Sequence, residues 1–399
     1  MKGVAMLPED CKLISVDDHI VEPPGLWQSR LPQKYLDAAP RIMELHADHE
    51  LSGLLPVASF ASSVREGRQG WTYEGRIYPT IGLSAVAGKR PEDYGTDPIR
   101  FDDMRPGCYS IRERIADMDE DGVHAQLNFP TLPGFSGTMF LDAQDKQLAK
   151  LCVEAWNNFM IDEWCSYSPG RQIPQVIVPL WDVELAAAEI RRTAAKGARA
   201  VTLPENTFSR GLPSFHSDSW DPVWRAIDET GLVISMHFGS SGAVPYTGDD
   251  MPAPVMIASM AVNSMTALHD LCFSRVFHEF PGLKVSLAEG GVGWVAYSLE
   301  RMDYVWERHR HWTGINFDVR PSDLFREHVW VCFIDDMTGI RIRDMVGVDK
   351  ILWESDYPHS DGTWPYSRKR FDEMVTGVPE ADVRKIGEEN ARRLFNWYD

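Results

Sequence analysis

The 399-residue sequence is short of several features that define other classes of protein. Its six cysteines are scattered, without a Cys-x-x-Cys pair, which argues against a disulfide framework and a cysteine-based zinc site. No stretch approaches the roughly 18 consecutive apolar residues of a membrane span. The first residues do not form a signal peptide, because Pro8, Glu9 and Asp10 interrupt them. These absences predict a cytoplasmic protein with reduced thiols.

Basic residues are also few relative to acidic ones. Forty lysines and arginines stand against 59 aspartates and glutamates, so the formal net charge is -19. A surface of this sign repels nucleic acid and anionic membranes, and neither is expected as a partner. Hydrophobic residues make up 44% of the chain and aromatic residues 11%, enough to bury a large core. With nucleic acid and membranes excluded, the expected partner is a small-molecule substrate.

Short apolar runs alternate along the chain with longer, helix-like segments. Runs with near-continuous apolar centres are typical of parallel strands that are covered on both faces. Strands are predicted at residues 13–19, 125–130, 175–180, 198–204, 232–238, 283–289, 328–334 and 350–356. Eight strands with helices between them predict an α/β fold, a closed (β/α)8 or TIM barrel that includes residues 1–399 as one domain.

The stretch from about residue 20 to about residue 110 interrupts this alternation. It is rich in proline, glycine and polar residues, and its segment WTYEGRIYPTI predicts a hairpin that turns at Glu74 and Gly75. An insertion after the first strand of a barrel lies over the C-terminal ends of the strands, where such folds keep their chemistry. We predict that this inserted segment is a lid or a dimer-contact arm rather than a passive surface loop.

Metal-ligating side chains stand at the ends of three predicted strands. Asp17 and His19 end the first strand, and their spacing of two points both to the same side. His237 ends the fifth strand and Asp356 ends the eighth. These ends meet at one rim of a barrel, so two imidazoles and two carboxylates are expected to converge. Such a set suits one divalent transition metal, with zinc as the first candidate and manganese or iron as alternatives.

Other residues near this predicted site are candidates for further roles. Glu289 ends the sixth strand, where it is a candidate acid–base group or metal ligand, or a salt-bridged strand end. His359 follows Asp356 and is a candidate to orient it or to contact substrate. Three aromatic residues flank the site and suit a flat substrate, although each would equally fit the core. They are Phe238, Trp294 and Trp364.

One further acidic residue and one further histidine are expected to be structural, and one basic cluster has two possible roles. Asp18 faces the side opposite to Asp17 and is expected to bond to the backbone. His278 precedes the sixth strand at the other end of the barrel. The basic cluster that follows the sixth strand either meets a substrate carboxylate or forms a solvated helix face. It consists of Arg308, Arg310 and His311.

Four segments resemble the signature segments of the metal-dependent amidohydrolase superfamily. They are SVDDHIVEP, GLVISMHFG, FPGLKVSLAEGGVGW and LWESDYPHSDGTWP. The resemblance extends from residue 13 to about residue 397 and is to the branch of aminocarboxymuconate semialdehyde decarboxylase and γ-resorcylate decarboxylase. It implies a barrel enzyme that forms a homodimer or a larger homo-oligomer. It also implies that one metal is held by Asp17, His19, His237 and Asp356.

One position departs from that branch. Its decarboxylases carry a histidine at the end of strand six, in a segment resembling AHGG, whereas this sequence reads AEGG with Glu289. The departure favours hydrolysis of a small aromatic or cyclic carboxylated substrate, with Asp356 accepting a proton from metal-activated water. Glu289 or His359 would then protonate the leaving group. The alternatives are a non-oxidative decarboxylase of an aromatic or muconate-type acid, and a catalytically inactive barrel.

Overall fold

A ring of parallel strands forms the centre of the protein, which the computed structural model describes for residues 7–52, 66–315 and 317–398. The described residues form twelve strands, of which β2, β3 and β4 lie outside the ring. The strands are β1 (Ile14–Ile20), β2 (Arg41–Glu44), β3 (Gln69–Tyr73), β4 (Arg76–Pro79), β5 (Ala125–Pro130), β6 (Gln172–Ile173), β7 (Gln175–Val176), β8 (Ala200–Thr202), β9 (Val233–His237), β10 (Lys284–Ala288), β11 (Val329–Phe333) and β12 (Ile351–Trp353). The helices are α1 (Ile111–Asp121), α2 (Lys146–Phe159), α3 (Val183–Ala195), α4 (Asp221–Thr230), α5 (Ala253–Ser259), α6 (Ala261–Cys272), α7 (Val276–Glu279), α8 (Val295–Thr313), α9 (Pro321–His328), α10 (Met337–Arg341), α11 (Arg343–Val346), α12 (Ser367–Met374), α13 (Glu380–Arg384) and α14 (Asn390–Phe395).

The strands of the ring follow one another in chain order. Strand β1 pairs with β5 and β5 with β6, while β7 to β12 pair successively, and every pair is parallel. Pro174 separates β6 from β7, and its missing N–H interrupts the ladder there. At the other seam, Asp356 N donates to Asp17 O at 3.0 Å and His19 N donates to Tyr357 O at 2.7 Å. The predicted (β/α)8 barrel is thereby confirmed.

Several strands are shorter than the sequence predicts. The predicted strand at 175–180 is regular only over Gln175–Val176, between Pro174 and Pro179. The predicted strand at 350–356 is regular only over Ile351–Trp353. Its last residues leave the ladder, and Asp356 adopts the left-handed conformation with a φ of 53°. Apolar patterning therefore located the strands, whereas prolines and the site residues set where they end.

Helices pack around the strands, and local capping signals fix where several of them begin and end. Helix α3 begins after Asp182, whose side chain accepts from Glu184 N and Leu185 N, the arrangement of an N-cap. Helix α4 ends at Gly231, which is left-handed with a φ of 69°. The main core lies between these helices and the strands, and a second apolar cluster fills the barrel interior. Seven tryptophans are fully buried, so half of the 14 serve the core.

The inserted segment forms an antiparallel sheet of its own, in the order β2-β3-β4. The predicted hairpin is confirmed, because Tyr73 pairs with Arg76 across a turn at Glu74 and Gly75, both left-handed. Trp71 of β3 packs edge-on against Trp27, with ring centroids 5.5 Å apart. Both tryptophans belong to an apolar cluster that includes residues of α2. The described part of the insertion is therefore anchored on the barrel.

One helical stretch, Ala253–Cys272, is long and apolar enough to cross a membrane by length and composition alone. It consists of α5 and α6, with Met260 between them. Its second half packs on the barrel, where Leu268 and Leu271 belong to the main apolar cluster. A buried helix of a barrel satisfies the same test of length and composition.

Candidate metal centre

Two overlapping groups of histidines and carboxylates lie at the C-terminal ends of the strands. The first consists of Asp17, His19, His237 and Glu289, and the second of His19, Asp356 and His359. Within each group, one potential ligand atom per residue lies within 4.8 Å of the others. His19 belongs to both groups and joins them. The four predicted ligands are thus neighbours, with Glu289 and His359 beside them.

The shortest distances run between the imidazoles and the carboxylates. His19 Nε2 lies 3.4 Å from Asp17 Oδ1 and 3.2 Å from Asp356 Oδ1. His237 Nε2 lies 3.5 Å from Asp17 Oδ2 and 2.8 Å from Glu289 Oε2. His359 Nδ1 lies 3.2 Å from Asp356 Oδ1, and its ring stacks on that of His19 at 3.6 Å. The Nε2 atoms of His19 and His237 therefore face a space bounded by carboxylate oxygens.

The strand ends hold these groups with an unusual backbone. The pairing of β1 with β5 is irregular between Ser15 and Asp18, next to Asp17. Glu289 and Asp356 both adopt left-handed φ angles, of 58° and 53°. Such a conformation costs a non-glycine residue about 1–3 kcal/mol and is concentrated at functional sites. Asp18 takes the backbone-bonding position that its spacing predicts, because its Oδ1 accepts from Tyr357 N at 3.0 Å.

The orientation of His237 is set by its own backbone neighbour. Its Nδ1 lies 2.6 Å from the carbonyl oxygen of Phe238, so that nitrogen donates its proton. The lone pair of the imidazole is then on Nε2, the atom that faces Asp17 and Glu289. A backbone carbonyl on the remote nitrogen is a usual partner of metal-bound histidine.

The electrostatics of the site favour the neutral form of His19 and His359 and disfavour the ionised form of Asp17 and Asp356. Burial raises the pKa of Asp17 and of Asp356 well above the ordinary range, and neighbouring carboxylates, Glu289 among them, add to both rises. Burial lowers the pKa of His19 well below its ordinary value, and lowers that of His359 to about 3. Neutral imidazoles with free lone pairs are the form that binds metal.

The buried polar atoms of the site fit a divalent cation. Six of them, with no hydrogen-bond partner among the described residues, are both Oδ atoms of Asp17, both Oδ atoms of Asp356, and the Nε2 atoms of His19 and His237. An unsatisfied buried polar group costs about 1–3 kcal/mol, and more when it is charged. A cation bound by these four residues would satisfy the six atoms and offset the repulsion between the carboxylates. Nitrogen and oxygen donors of this kind suit manganese, zinc or iron.

Arg114 of α1 lies behind His19 and was missed by sequence reasoning. It is fully buried, and its Nη2 donates to the His19 carbonyl oxygen at 2.5 Å. Its Nε donates to Gly107 O at 2.8 Å, and its guanidinium lies over the ring of Tyr357. The residue supplies a positive charge close to the acidic strand ends. Nothing in the sequence around it distinguishes it from the other charged residues of α1.

Two cavities flank the centre. The first, of about 440 Å³, is lined by Phe135 and Phe238 beside the histidines, and by residues of the inserted segment from Arg76 to Ser84. The Phe135 ring lies 4.8 Å from that of His19 and 4.2 Å from that of His237. The second, of about 460 Å³, is lined by acidic residues that include Glu289 and Asp361. Phe135 was also missed, because it stands in a loop whose fold no periodicity reveals.

Of the three aromatic residues predicted to contact the substrate, Phe238 lines the first cavity, whereas Trp294 and Trp364 make other contacts. Trp294 donates from its indole to Gly290 O at 2.7 Å, and Trp364 donates to Asp117 O at 3.1 Å beneath the guanidinium of Arg105. Neither Trp294 nor Trp364 is among the described residues that line this cavity. Substrate binding by these two tryptophans stays a prediction without geometric support.

The remaining candidates lie among other contacts. His278 stacks on Phe317 with ring centroids 3.9 Å apart, which agrees with the structural role expected for it. In the basic cluster, Arg308 lies over Tyr304, and Arg310 forms an ion pair with Asp318 at 2.9 Å. These arginines have partners on or next to their own helix, α8. A role in binding a substrate carboxylate has no support from these contacts.

Known proteins resemble the chain over most of its length. A sequence profile described as amidohydrolase matches residues 45–397. A γ-resorcylate decarboxylase from Polaromonas sp. (strain JS666) is 26% identical over 315 residues, which cover 73% of this chain and 90% of that protein. A solved structure of an amidohydrolase from Mycobacterium avium subsp. paratuberculosis K-10 superposes with a TM-score of 0.70 at 22% identity, over 97% of this chain and all of that one.

A second solved structure is similar to the chain and holds a metal. It is a 5-carboxyvanillate decarboxylase from Novosphingobium aromaticivorans DSM 12444, complexed with manganese and 4-hydroxy-3-methoxy-5-nitrobenzoic acid. The TM-score is 0.64 at 17% identity, and the match covers 97% of this chain and 96% of that chain. At these identities the two solved structures show the fold alone.

Proposed function

Because the chain belongs to the amidohydrolase family, whose profile matches residues 45–397, we propose that it is a metal-dependent carboxy-lyase of an aromatic carboxylic acid. Membership of the superfamily makes it an enzyme, which removes the alternative of an inactive barrel. The γ-resorcylate decarboxylase that matches over 90% of its length favours decarboxylation over the hydrolysis that Glu289 suggests. The observation that carries the proposal is the set of buried atoms of Asp17, His19, His237 and Asp356 that have no hydrogen-bond partner in the described part of the chain.

We propose manganese as the metal, in place of zinc, which the sequence alone ranks first. The similar 5-carboxyvanillate decarboxylase is complexed with manganese, and the ligand set here contains no thiolate. When bound, the cation would supply a positive charge that holds the anionic oxygens of the substrate and stabilises the charge that develops on them. Metal analysis of protein expressed with each metal in turn tests this choice.

The first cavity supports an acidic, largely flat substrate. Its walls include Phe135 and Phe238 next to the histidines, together with apolar residues of the inserted segment. Arg76 and Arg210 add two positive charges, in a chain whose net charge is -19. Arg210 Nη2 lies 3.3 Å from Asp142 Oδ2, and Arg210 Nε has no hydrogen-bond partner among the described residues. We propose that the arginines bind a second acidic group of the substrate, away from the metal.

Among the residues that the structure describes, Glu289 fits the role of proton donor. Glu289 contacts His237 on one side and lines the second cavity on the other, so it has access to both the site and solvent. In the proposed reaction the protonated form of its carboxyl group gives the proton to the ring carbon that carries the carboxylate. The carbon–carbon bond then breaks, its electron pair restores the aromatic ring, and carbon dioxide leaves. Glu289 regains a proton from the second cavity.

His359 does not fit that role. Burial lowers its pKa to about 3, so the imidazole is neutral at pH 7 and has no spare proton to give. Its Nδ1 lies 3.2 Å from Asp356 Oδ1, and its ring stacks on His19. We propose that it orients these two ligands.

Hydrolysis is the second candidate, and Glu289 is the observation that favours it. The decarboxylases that the sequence resembles have a histidine at this position, and a carboxylate can also act as a general base toward a water molecule. One experiment separates the two reactions. Manganese-loaded protein is incubated in D2O with a panel of hydroxybenzoates and, separately, with aryl esters, lactones and amides.

Decarboxylation releases carbon dioxide and leaves one deuterium on the ring carbon, which NMR detects. His237→Ala is the matched control, because it lacks a proposed ligand and should show neither reaction. Carbon dioxide release by the parent above that control supports the lyase. Hydrolysis of the second panel without any carbon dioxide from the first would replace the lyase with a hydrolase.

Three further expectations stay proposals. We propose that the inserted segment is a lid over the first cavity, because residues from Arg76 to Ser84 line it. A lid predicts that protease cleavage within 66–84 is slowed by a bound substrate analogue. We also propose a homo-oligomer, which sedimentation would test, and a cytoplasmic location, which cell fractionation would test.

A further inference from the structure

The turn that follows β9 is held by one buried carboxylate. Glu205 is 4% exposed and follows β8, the neighbouring strand. Its two oxygens accept five hydrogen bonds, four of them from the turn. The turn donors are Gly239 N at 3.1 Å, Ser240 Oγ at 2.6 Å, Ser241 N at 2.8 Å and Ser241 Oγ at 2.6 Å.

The fifth donor ties α6 to the same carboxylate. Asn263 Nδ2 donates to Glu205 Oε1 at 3.1 Å and to Ala243 O at 2.6 Å, so it holds the far end of the turn as well. In the part of the chain that the structure describes, no lysine or arginine forms an ion pair with Glu205. Five neutral donors on a buried carboxylate form a rigid network, since each bond restricts the others.

This network begins one residue beyond the carbonyl that orients His237. Phe238 O lies 2.6 Å from His237 Nδ1, and the peptide that contains this carbonyl also contains Gly239 N, which donates to Glu205. One peptide plane is therefore held at its N–H by Glu205 and at its oxygen by His237. Since the peptide is planar, fixing the N–H direction fixes the direction of the carbonyl.

The other side of the turn supports Phe135. Ser136 Oγ and Thr138 Oγ1 both donate to Ser240 O, each at 3.4 Å. Phe135 precedes this pair, and its ring contacts those of His19 and His237. The turn thus lies between Glu205 and the aromatic wall of the metal centre.

We propose that Glu205 is a positioning residue for the metal. It holds the peptide between Phe238 and Gly239 so that the carbonyl keeps the proton of His237 on Nδ1 and leaves the lone pair of Nε2 for the cation. The inference rests on the metal site of the proposed function and not on the identity of the reaction. Mutation of residues that orient a metal ligand without binding the metal typically lowers the metal affinity by about 10- to 100-fold.

The test compares the loss of two buried carboxylates, that of Glu205 and that of Glu189. Glu205→Ala is expected to raise the dissociation constant for Mn²⁺ at least about tenfold, measured from the free Mn²⁺ signal in electron paramagnetic resonance. Glu205→Gln keeps one acceptor oxygen and is expected to fall between the parent and Glu205→Ala. Glu189→Gln is the control, because Glu189 is 3% exposed and accepts from Asn157, on the outer helix α3. It should lower the melting temperature without changing Mn²⁺ affinity.

The outcomes are distinct. If Glu205→Ala lowers the melting temperature of the metal-free protein but binds Mn²⁺ as the parent does, the role is structural and the inference is overturned. If Glu205→Ala does not fold, Glu205→Gln and Ser241→Ala decide, and parental affinity in both overturns it. ¹⁵N NMR of the histidines gives an independent readout, since the preference of His237 for the Nδ1-protonated tautomer should be weaker in Glu205→Gln than in the parent. Absence of Mn²⁺ binding by the parent itself would instead refute manganese as the metal of the proposed site.

Discussion

Glu22, near the end of β1, tests whether burial or hydrogen bonding controls a carboxyl group close to the site. It is fully buried, and burial raises its pKa from 4.5 to about 7. Three donors oppose this rise, because Thr131 N, Leu132 N and Trp156 Nε1 all lie within 3.1 Å of its oxygens and stabilise the anion. The balance of these effects determines how stability changes with pH.

The direction in which Glu22 changes the stability of the fold with pH follows from proton linkage. Between pH 4.5 and about 7 the folded protein holds the Glu22 proton more often than the unfolded chain does. Stability contributed by this group is therefore highest below pH 4.5, falls as pH rises, and reaches its lower limit above pH 7. The difference between the two pKa values corresponds to about 3 kcal/mol, as an order of magnitude.

Glu22→Gln removes the titration while keeping the size of the side chain. Urea unfolding of the parent and of the variant, followed by tryptophan fluorescence in the same metal-free buffer, is compared at pH 4.5 and pH 8. The variant is expected to gain about 3 kcal/mol relative to the parent across this interval. The amide faces some of the same donors and costs stability at both pH values, so only the change with pH carries the test. A constant difference, or a parent that gains on the variant as pH rises, would mean that the three donors outweigh burial.

Three further predictions concern the site. The parent should contain about one metal ion per chain and His237→Ala almost none, because the variant loses an imidazole whose Nε2 has no hydrogen-bond partner among the described residues. Metal analysis showing little metal in the parent would refute the centre. Glu289→Gln should retain metal while kcat falls by about 100-fold or more, since the amide transfers no proton; an unchanged kcat would remove Glu289 from the reaction. Arg210→Gln should raise KM about tenfold for substrates with a second acidic group, the value of one charge-assisted contact, with KM unchanged for those without it; equal effects on both would contradict a role in charge recognition.

The strand-end residues were predictable because the barrel imposes a common rim on residues far apart in the chain. Once β1, β9 and β12 are recognised as parallel strands, the residues that end or follow them must meet, whatever the connecting helices do. The spacing of Asp17 and His19 adds their common side. Even the local irregularity of β1 between Ser15 and Asp18 leaves both residues in the same group.

Loop-dependent features were not predictable in this way. Trp294 and Trp364 are close in sequence to site residues, yet their indoles are turned to the carbonyls of Gly290 and Asp117. Phe135 reaches the histidines only because its loop folds back across the strand ends. Arg76 reaches the first cavity only because the hairpin folds over it. Sequence adjacency gives the position of a side chain along the chain but not the direction in which a loop turns it.

The preference for hydrolysis shows how much weight a single residue should have when a reaction is predicted from sequence. It depended on Glu289 alone, whereas the likeness to decarboxylases extends over most of the chain. Glu289 does lie beside the proposed ligand His237, so the departure affects the reacting region. In the proposed reaction, a carboxylate there would change which group moves the proton more directly than it would change which bond is broken.

The seam between β1 and β12 determines when during synthesis the site can exist. The bond from Tyr357 N to Asp18 joins residues 339 positions apart, next to the ligands on both strands. A growing chain that lacks its last strand has three of the four proposed ligands, Asp17, His19 and His237, with Glu289 beside them, but it lacks Asp356 and is expected to bind a cation weakly. A metal that binds only chains in which the ring has closed would withdraw them from the pool of unfinished barrels by mass action. Metal supply would then influence how much of the newly made protein reaches the native state, in addition to how much of it is active.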